Sequence, residues 1–340
     1  MPTNCDTQVL LSRYPERMRP LSPPEPLGNA GGLSGAKIWR FHSAHGPLMI
    51  RAWPPDGPGP EAVQQIHGWI AEAGRLGWVP LPVPLPTRLG QTVHRLAGRT
   101  WELSPWMPGT ADPARPPSHL KLRTAFEALS CFHQVLAREA RLGTSPGLRA
   151  RLEELLGLLQ GEFDDLRGAV ERASIGPMVE PARQWLELAR RVGPGLVGEL
   201  RRASGQVIRL QPCLRDARPD HFLWIGDRLS GLVDFGAMGL ECVSADIARL
   251  LSEWLGPEPL LRAEALAAYS ANRLLEGEEA RLIEVFERSA ALLGGARWVR
   301  WHFVERRTFD DPEAEIVGLR RALNRLVCLI ELSHLGLRSS

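Results

Sequence analysis

The sequence predicts an α+β protein in two parts: a small β-rich N-terminal lobe and a larger, mostly helical C-terminal lobe with one β-hairpin. Three observations predict it. The first 110 residues are rich in Gly and Pro and hold only short apolar runs. Past Met107-Pro108-Gly109, long segments repeat Leu and Ala at helical spacing. One island, residues 207–236, interrupts them with two short apolar runs. The boundaries read as an N-terminal lobe over residues 1–103, a linker over 104–110 and a helical lobe over 111–340.

Residues 36–41 (AKIWRF) and 47–53 (PLMIRAW) read as two strands, with a hairpin turn over 42–46. Residues 60–76 read as a helix: Pro60 and Glu61 stand at its start, and Val63, Ile66, Ile70 and Ala73 recur on one face. The run VPLPVPLP (79–86) is excluded as a central strand, because each Pro removes a ladder donor. Residues 92–96 and 100–103 read as two more strands around Ala97-Gly98-Arg99. Amphipathic helices are predicted over 120–138, 146–166, 180–191, 260–275, 277–293 and 314–335. Within the island, 222–225 and 229–233 form a hairpin turning at Gly226-Asp227.

Composition excludes several classes. The net charge is +2 over 340 residues, which gives a phosphate-backbone partner no support. All but two of the basic residues are Arg, a pattern read as base composition rather than function. Five dispersed cysteines with no C-x-x-C pair argue against a disulfide framework and a structural zinc site, and for a reducing compartment. The N-terminus lacks a signal-peptide core, and no apolar stretch reaches a membrane span. The expectation is a cytoplasmic globular protein with no nucleic-acid or membrane partner. No repeat of solenoid length is present.

The chemistry concentrates in the island. Asp216 precedes the hairpin, and Asp234 follows it, with Phe235 and Gly236 next. A hairpin returns the chain to its start, so the two carboxylates are expected close together, with His221 facing the same cleft. Phosphoryl transfer asks for such a set. One carboxylate orients the attacking hydroxyl and takes its proton, a second holds Mg²⁺, and a third group completes the metal site. Gly236 permits a backbone turn directly after the metal ligand.

These blocks resemble the aminoglycoside phosphotransferase family. Residues 214–221 (LRDARPDH) resemble its H-G-D-L-H-P-x-N catalytic loop, 231–236 (GLVDFG) its metal motif, and 244–249 (SADIAR) the Y-D-L-A segment that follows. Residues 128–133 (ALSCFH) and the linker stretch WELSPWMPG (101–109) resemble further family blocks, so the resemblance spans about residues 25–255. It implies a protein-kinase-like two-lobe fold and ATP-dependent phosphorylation of a small-molecule hydroxyl. Carried over, Asp216 is the catalytic base, Asp234 the principal Mg²⁺ ligand, His221 the second ligand where Asn is usual, and Asp246 a brace for the catalytic loop. Leu214, Arg215 and Arg218 depart from the family pattern.

In the N-terminal lobe, Gly31, Gly32, Ser34 and Gly35 lie in a Gly-rich run before a strand, the place of a phosphate-covering loop, and no Walker A motif follows. Arg51 stands where the kinase strand lysine belongs. Glu61 is its first candidate ion-pair partner and Glu72 the second. Ser104 and Trp106 flank Pro105 in the linker, where Trp106 offers adenine a stacking face and any hinge donor is a neighbour of Pro105, which has no N–H. The alternative is a catalytically inactive pseudokinase that binds nucleotide and holds a protein partner, favoured by Leu214, Arg215 and Arg51. A protein kinase is a third reading, and no A-P-E segment follows D-F-G. The acceptor is not legible: Glu153, Glu154, Glu162, Asp164 and Asp165 either attract a cationic substrate or form a solvated helix face.

Overall fold

Helix α1 (Asn4–Leu11) opens the chain, in a computed structural model that describes residues 4–27, 35–173, 175–256, 258–309 and 313–334. Strands β1 (Glu25–Pro26), β2 (Lys37–Ser43) and β3 (Gly46–Ala52) follow, then helix α2 (Pro60–Arg75) with Pro60 in its first turn. Strands β4 (His94–Leu96), β5 (Arg99–Pro105) and β6 (Thr110–Ala111) precede helix α3 (His119–Leu136). Ser118 caps α3 by accepting from the Lys121 N–H at 3.3 Å. Next come β7 (Arg141–Gly143), α4 (Pro146–Gly157), α5 (Phe163–Arg172) and α6 (Val179–Gly205). Then follow β8 (Ile208–Cys213), the hairpin β9 (Phe222–Ile225) and β10 (Arg228–Leu232), and β11 (Gly239–Glu241). Helices α7 (Ser244–Trp254), α8 (Pro259–Ser270), α9 (Gly277–Val299) and α10 (Ala314–His334) complete the chain.

These elements form two compact units. The first comprises Met1–Arg138 and Pro219–Met238, the second Glu139–Arg218 and Gly239–Ser340. The first unit holds an antiparallel sheet in the order β1-β2-β3-β5-β4 and a second sheet in the order β10-β9-β6. Beneath the large sheet, Trp39 stacks on Trp101 with ring centres 5.5 Å apart. Leu10, Tyr14, Phe41, Leu48, Ile50 and Leu103 close around them. Burying each such side chain contributes roughly 1.5–3 kcal/mol. The Trp101 indole N–H donates to the Leu96 carbonyl at 2.9 Å, so this buried ring leaves no polar group unpaired.

The Pro-rich segment forms no strand, as its missing donors require. It is irregular instead, with the Val83 N–H turning back to Leu81 O at 2.9 Å. The Leu85 N–H donates to Leu103 O, and Pro80 O accepts from the Leu232 N–H at 2.9 Å. That second bond anchors the end of β10, two residues before Asp234.

In the second unit β11, β8 and β7 form a three-stranded sheet among the helices. The predicted helix over 146–166 is interrupted: residues 158–162 form a π turn in which Gly161 has φ +147°, a conformation open to glycine. The helix predicted over 180–191 runs on to Gly205 through Pro194, because Leu196, Val197, Leu200 and Ala203 continue its buried stripe. Gly295 of α9 admits Trp185 of α6: a Cβ there would lie 2.1 Å from the indole nitrogen. Among the described residues no helix is long and apolar enough to cross a membrane.

Candidate functional site

In the first unit, β3 carries Arg51 and the segment after β10 carries Asp234. The Arg51 Nη2 donates to Asp234 Oδ1 at 3.2 Å. The guanidinium carbon of Arg51 lies 5.2 Å from the centre of the Trp53 ring, a cation–π contact. The Asp234 backbone has φ +62°, a left-handed conformation that Asp adopts more readily than most residues. That turn lets Oδ1 accept the Gly236 N–H at 3.3 Å. A Cβ at Gly236 would lie 3.2 Å from Asp234 Oδ1, so glycine keeps this carboxylate clear.

His221 ends the short 3₁₀ turn Pro219–His221, directly before β9. Its backbone carbonyl accepts the Val233 N–H at 2.9 Å, and its Nε2 lies 3.6 Å from Asp234 Oδ2. Burial is the strongest single influence on the Asp234 carboxyl and works to raise it, and the Arg51 charge is the first of several that together outweigh it. The His221 ring and the Gly236 N–H add to that pull, and the group is held below the usual aspartate value. An ionised carboxylate beside an imidazole nitrogen is a donor set that suits a divalent cation, with the oxygen as its hard ligand. Asp234 and His221 are therefore the residues that would hold one.

One expected pairing is corrected. Glu61 is exposed in the first turn of α2, and Glu72 pairs with Arg75 and Arg138. Neither meets Arg51, whose partner is Asp234. The acid nearest Arg51 in the sheet is Glu102 on β5, its direct cross-strand neighbour. Glu102 is buried and accepts from the Trp53 Nε1 at 2.8 Å, while His67 Nε2 lies 2.9 Å from the same oxygen. Burial pushes the Glu102 carboxyl up. The His67 hydrogen bond, then the Arg51 charge, pull it net below its ordinary value.

Of the proposed phosphate loop, Gly31, Gly32 and Ser34 lie outside the described residues. Gly35 is described, in a turn at φ +72°. Ser104 is buried on β5 opposite Met49. The Trp106 N–H donates to Pro47 O at 3.0 Å, and the Arg40 guanidinium lies over its ring at 4.9 Å. That backbone donor is already used within the sheet.

In the second unit, Asp216 lies in the loop after β8. Asp246, fully buried in the first turn of α7, braces this loop: its two carboxylate oxygens accept the Leu214 N–H at 2.7 Å and the Arg215 N–H at 2.6 Å. Arg215 itself takes φ +64°. Asp216 Oδ1 accepts from the Arg249 Nε at 3.1 Å, and Arg249 also reaches Glu253 Oε1 at 3.1 Å. Glu253 in turn meets Arg325 and Arg321 of α10. Burial raises the Glu253 carboxyl, and Arg325 and Arg249 more than reverse it, to about 2. Of the acids left open between a substrate-attracting role and a solvated helix face, Glu162 pairs with Arg300 at 2.5 Å and Asp164 with Arg167 at 3.0 Å.

Sequence reasoning passed over Arg249, Glu102, His67 and Trp53. Arg249 had a legible signal: Asp246, Arg249 and Glu253 stand at i, i+3 and i+7. Glu102 had none, since only strand register sets it opposite Arg51.

The homoserine kinase of Parvibaculum lavamentivorans is 30% identical to this chain over 129 residues. The match takes in 34% of this chain and 39% of that kinase, so the chain covers well under two thirds of its length. The homoserine kinase of Allorhizobium ampelinum is 27% identical over 264 residues, 72% of this chain and 70% of that kinase. The fold is similar to a crystal structure of an aminoglycoside phosphotransferase from Alicyclobacillus acidocaldarius, with a TM-score of 0.63 at 15% identity. That likeness covers 96% of this chain and 95% of the other, and the fold class is the expected α+β, protein-kinase-like one. A family model matches residues 27–283, and the chain belongs to the phosphotransferase enzyme family.

Proposed function

We propose that this protein is an ATP-dependent kinase that phosphorylates a hydroxyl group of a small molecule. The observation that carries this reading is the Asp234 carboxylate, held ionised between Arg51 and His221. It supplies an anionic metal ligand and a phosphate-gripping cation in one place. Family membership and the Asp246-braced loop that presents Asp216 support it.

In this reading, Arg51 holds oxygens of the ATP triphosphate, a task that its planar, permanently charged fork suits. Asp234 and His221 would hold Mg²⁺, which would supply positive charge against the phosphates. Asp216 accepts a hydrogen bond from the acceptor hydroxyl and takes its proton as the oxygen attacks the γ-phosphorus. The new O–P bond replaces the bond to the β–γ bridging oxygen, and ADP leaves with that electron pair. Asp246 contributes by fixing the backbone on which Asp216 stands. Homoserine is the first acceptor to try, because relatives carry that activity in their names.

A nucleotide-binding module without phosphoryl transfer is the second reading. The ion pair that already engages Asp216, with Arg249, favours it. The two are separated by titrating the purified protein with AMP-PNP, with and without Mg²⁺, and then following ADP release from ATP in the presence of homoserine and other amino alcohols. Acceptor-dependent ADP release that disappears in Asp216→Ala supports the kinase. Mg²⁺-dependent AMP-PNP binding with no ADP release from any acceptor favours the module. Absence of binding sinks both.

A further inference from the structure

Glu102 is a buried acid in the middle of β5 for which the proposed chemistry has no task. A carboxylate in a sheet interior is costly, and an apolar residue of similar volume serves stability as well or better. This one is nonetheless held at Oε2 by two ring nitrogens. Trp53 Nε1 donates to Oε2 at 2.8 Å. His67 of α2 brings Nε2 to the same oxygen at 2.9 Å, and its Nδ1 lies 2.9 Å from Thr92 Oγ1. The Thr92 contact fixes the ring so that one nitrogen is left to face the acid.

The cation that answers this charge is Arg51. The two are paired directly across β3 and β5, so their side chains share one face of the sheet. They are also linked through Trp53. The indole edge is tied to Glu102, and the indole face carries the Arg51 guanidinium. Arg51 spends one nitrogen on Asp234, and its buried Nε has no hydrogen-bond partner. A long, flexible side chain is thus set by a fixed aromatic shelf beneath it and a fixed negative charge beside it. No acid of α2 does this work.

We propose that Glu102, held by His67, is a positioning residue for Arg51: it sets the guanidinium, through the Trp53 shelf and through its own charge, to meet the oxygens of a nucleoside triphosphate. This rests on the functional reading above. Helix α2 enters the arrangement through a histidine rather than through a glutamate.

The test is calorimetric titration with Mg·AMP-PNP of four proteins: wild type, Glu102→Gln, Arg51→Ala and the double variant, each with its thermal midpoint. Glu102→Gln keeps the shape and an acceptor for the indole while removing the charge. It should weaken binding about tenfold, the low end of what losing the partner behind a binding side chain costs. Arg51→Ala should weaken it at least as much, and the double variant no more than Arg51→Ala alone, because Glu102 acts only through Arg51. A purely packing role would lower the thermal midpoint and leave the affinity of the folded protein unchanged. Unchanged affinity in Glu102→Gln, or losses that multiply in the double variant, would overturn the inference while leaving the functional reading intact. Wild-type protein that binds no AMP-PNP would overturn both. Should Glu102→Gln fail to fold, His67→Gln takes its place, with a loss of about tenfold and the same non-additivity with Arg51→Ala.

Discussion

Arg249 of α7 donates its Nε to Asp216 Oδ1 at 3.1 Å while its Nη1 reaches Glu253 Oε1 at 3.1 Å. The guanidinium thus joins the proposed base to an acid that is itself held by α10. A carboxylate that must aim one oxygen at a hydroxyl benefits from having the other geometry fixed in advance.

Replacing Arg249 by Ala should therefore lower kcat about tenfold, the scale on which misplacing a reacting group is felt, and leave the AMP-PNP affinity as it was. Steady-state ADP release with a responsive acceptor, set beside calorimetry, reads both quantities. A rise in kcat would instead mean that the pair restrains Asp216 and must open before turnover.

Asp234→Asn keeps the shape of the side chain and removes its charge. Mg²⁺ should then no longer tighten AMP-PNP binding, with a loss of at least tenfold against wild type in the presence of the metal. Gly236→Ala should show a weaker form of the same defect, because the added Cβ would sit 3.2 Å from Asp234 Oδ1. Retained metal dependence in Asp234→Asn would move the ligand role to another residue.

Asp246 accepts two backbone N–H groups in a buried setting. Asp246→Ala strands both donors, at about 1–3 kcal/mol apiece. Urea denaturation should show a loss of roughly 3 kcal/mol or more. Asp246→Asn, which keeps one oxygen acceptor, should recover part of it. Equal stability of wild type and Asp246→Ala would show that the loop needs no brace.

Glu253 carries a pH signature. Its carboxyl is lowered from 4.5 to about 2, against burial, by Arg325, Arg249 and Arg321. The folded value lies below the unfolded one, so the charge stabilises the fold fully above about pH 4.5 and fades as pH falls from there toward 2. The side chain is 17% exposed, and the contribution at neutral pH is on the order of 3 kcal/mol at most. Thermal midpoints measured from pH 7 to pH 3 should fall more steeply for wild type than for Glu253→Gln. Parallel curves would remove Glu253 from the account of acid unfolding.

Much of the fold is local and was legible as such. The β2–β3 hairpin, α2, the absence of a strand in the Pro-rich run and the β9–β10 hairpin at Gly226-Asp227 follow from apolar period, proline and turn chemistry within short windows. Where local signals misled, packing across the unit was the reason. Pro194 should end a helix, but the buried stripe beyond it carries α6 to Gly205. Strand β8 contains Gln211 and Pro212 and shows its nature only by pairing with β11 and β7.

Asp216, Asp234 and His221 could be singled out from the chain alone, because short motifs at fixed spacing sit on one hairpin and its flanking loops. The partner of Arg51 could not. Glu61 and Glu72 were the acids that helical reasoning placed near it, while the residue that meets it is 183 positions away in sequence. Glu102 reaches Arg51 by strand register, His67 reaches Glu102 across 35 positions, and Arg249 reaches Asp216 across 33. The chain alone specified the chemical type of each residue and the helices and strands with a strong local period, since those properties depend on neighbours along the chain, whereas α6 beyond Pro194 and β8 needed their packing partners. Which charges meet was settled by the packing of whole elements, because ion pairs and buried hydrogen bonds depend on distance in space rather than along the chain.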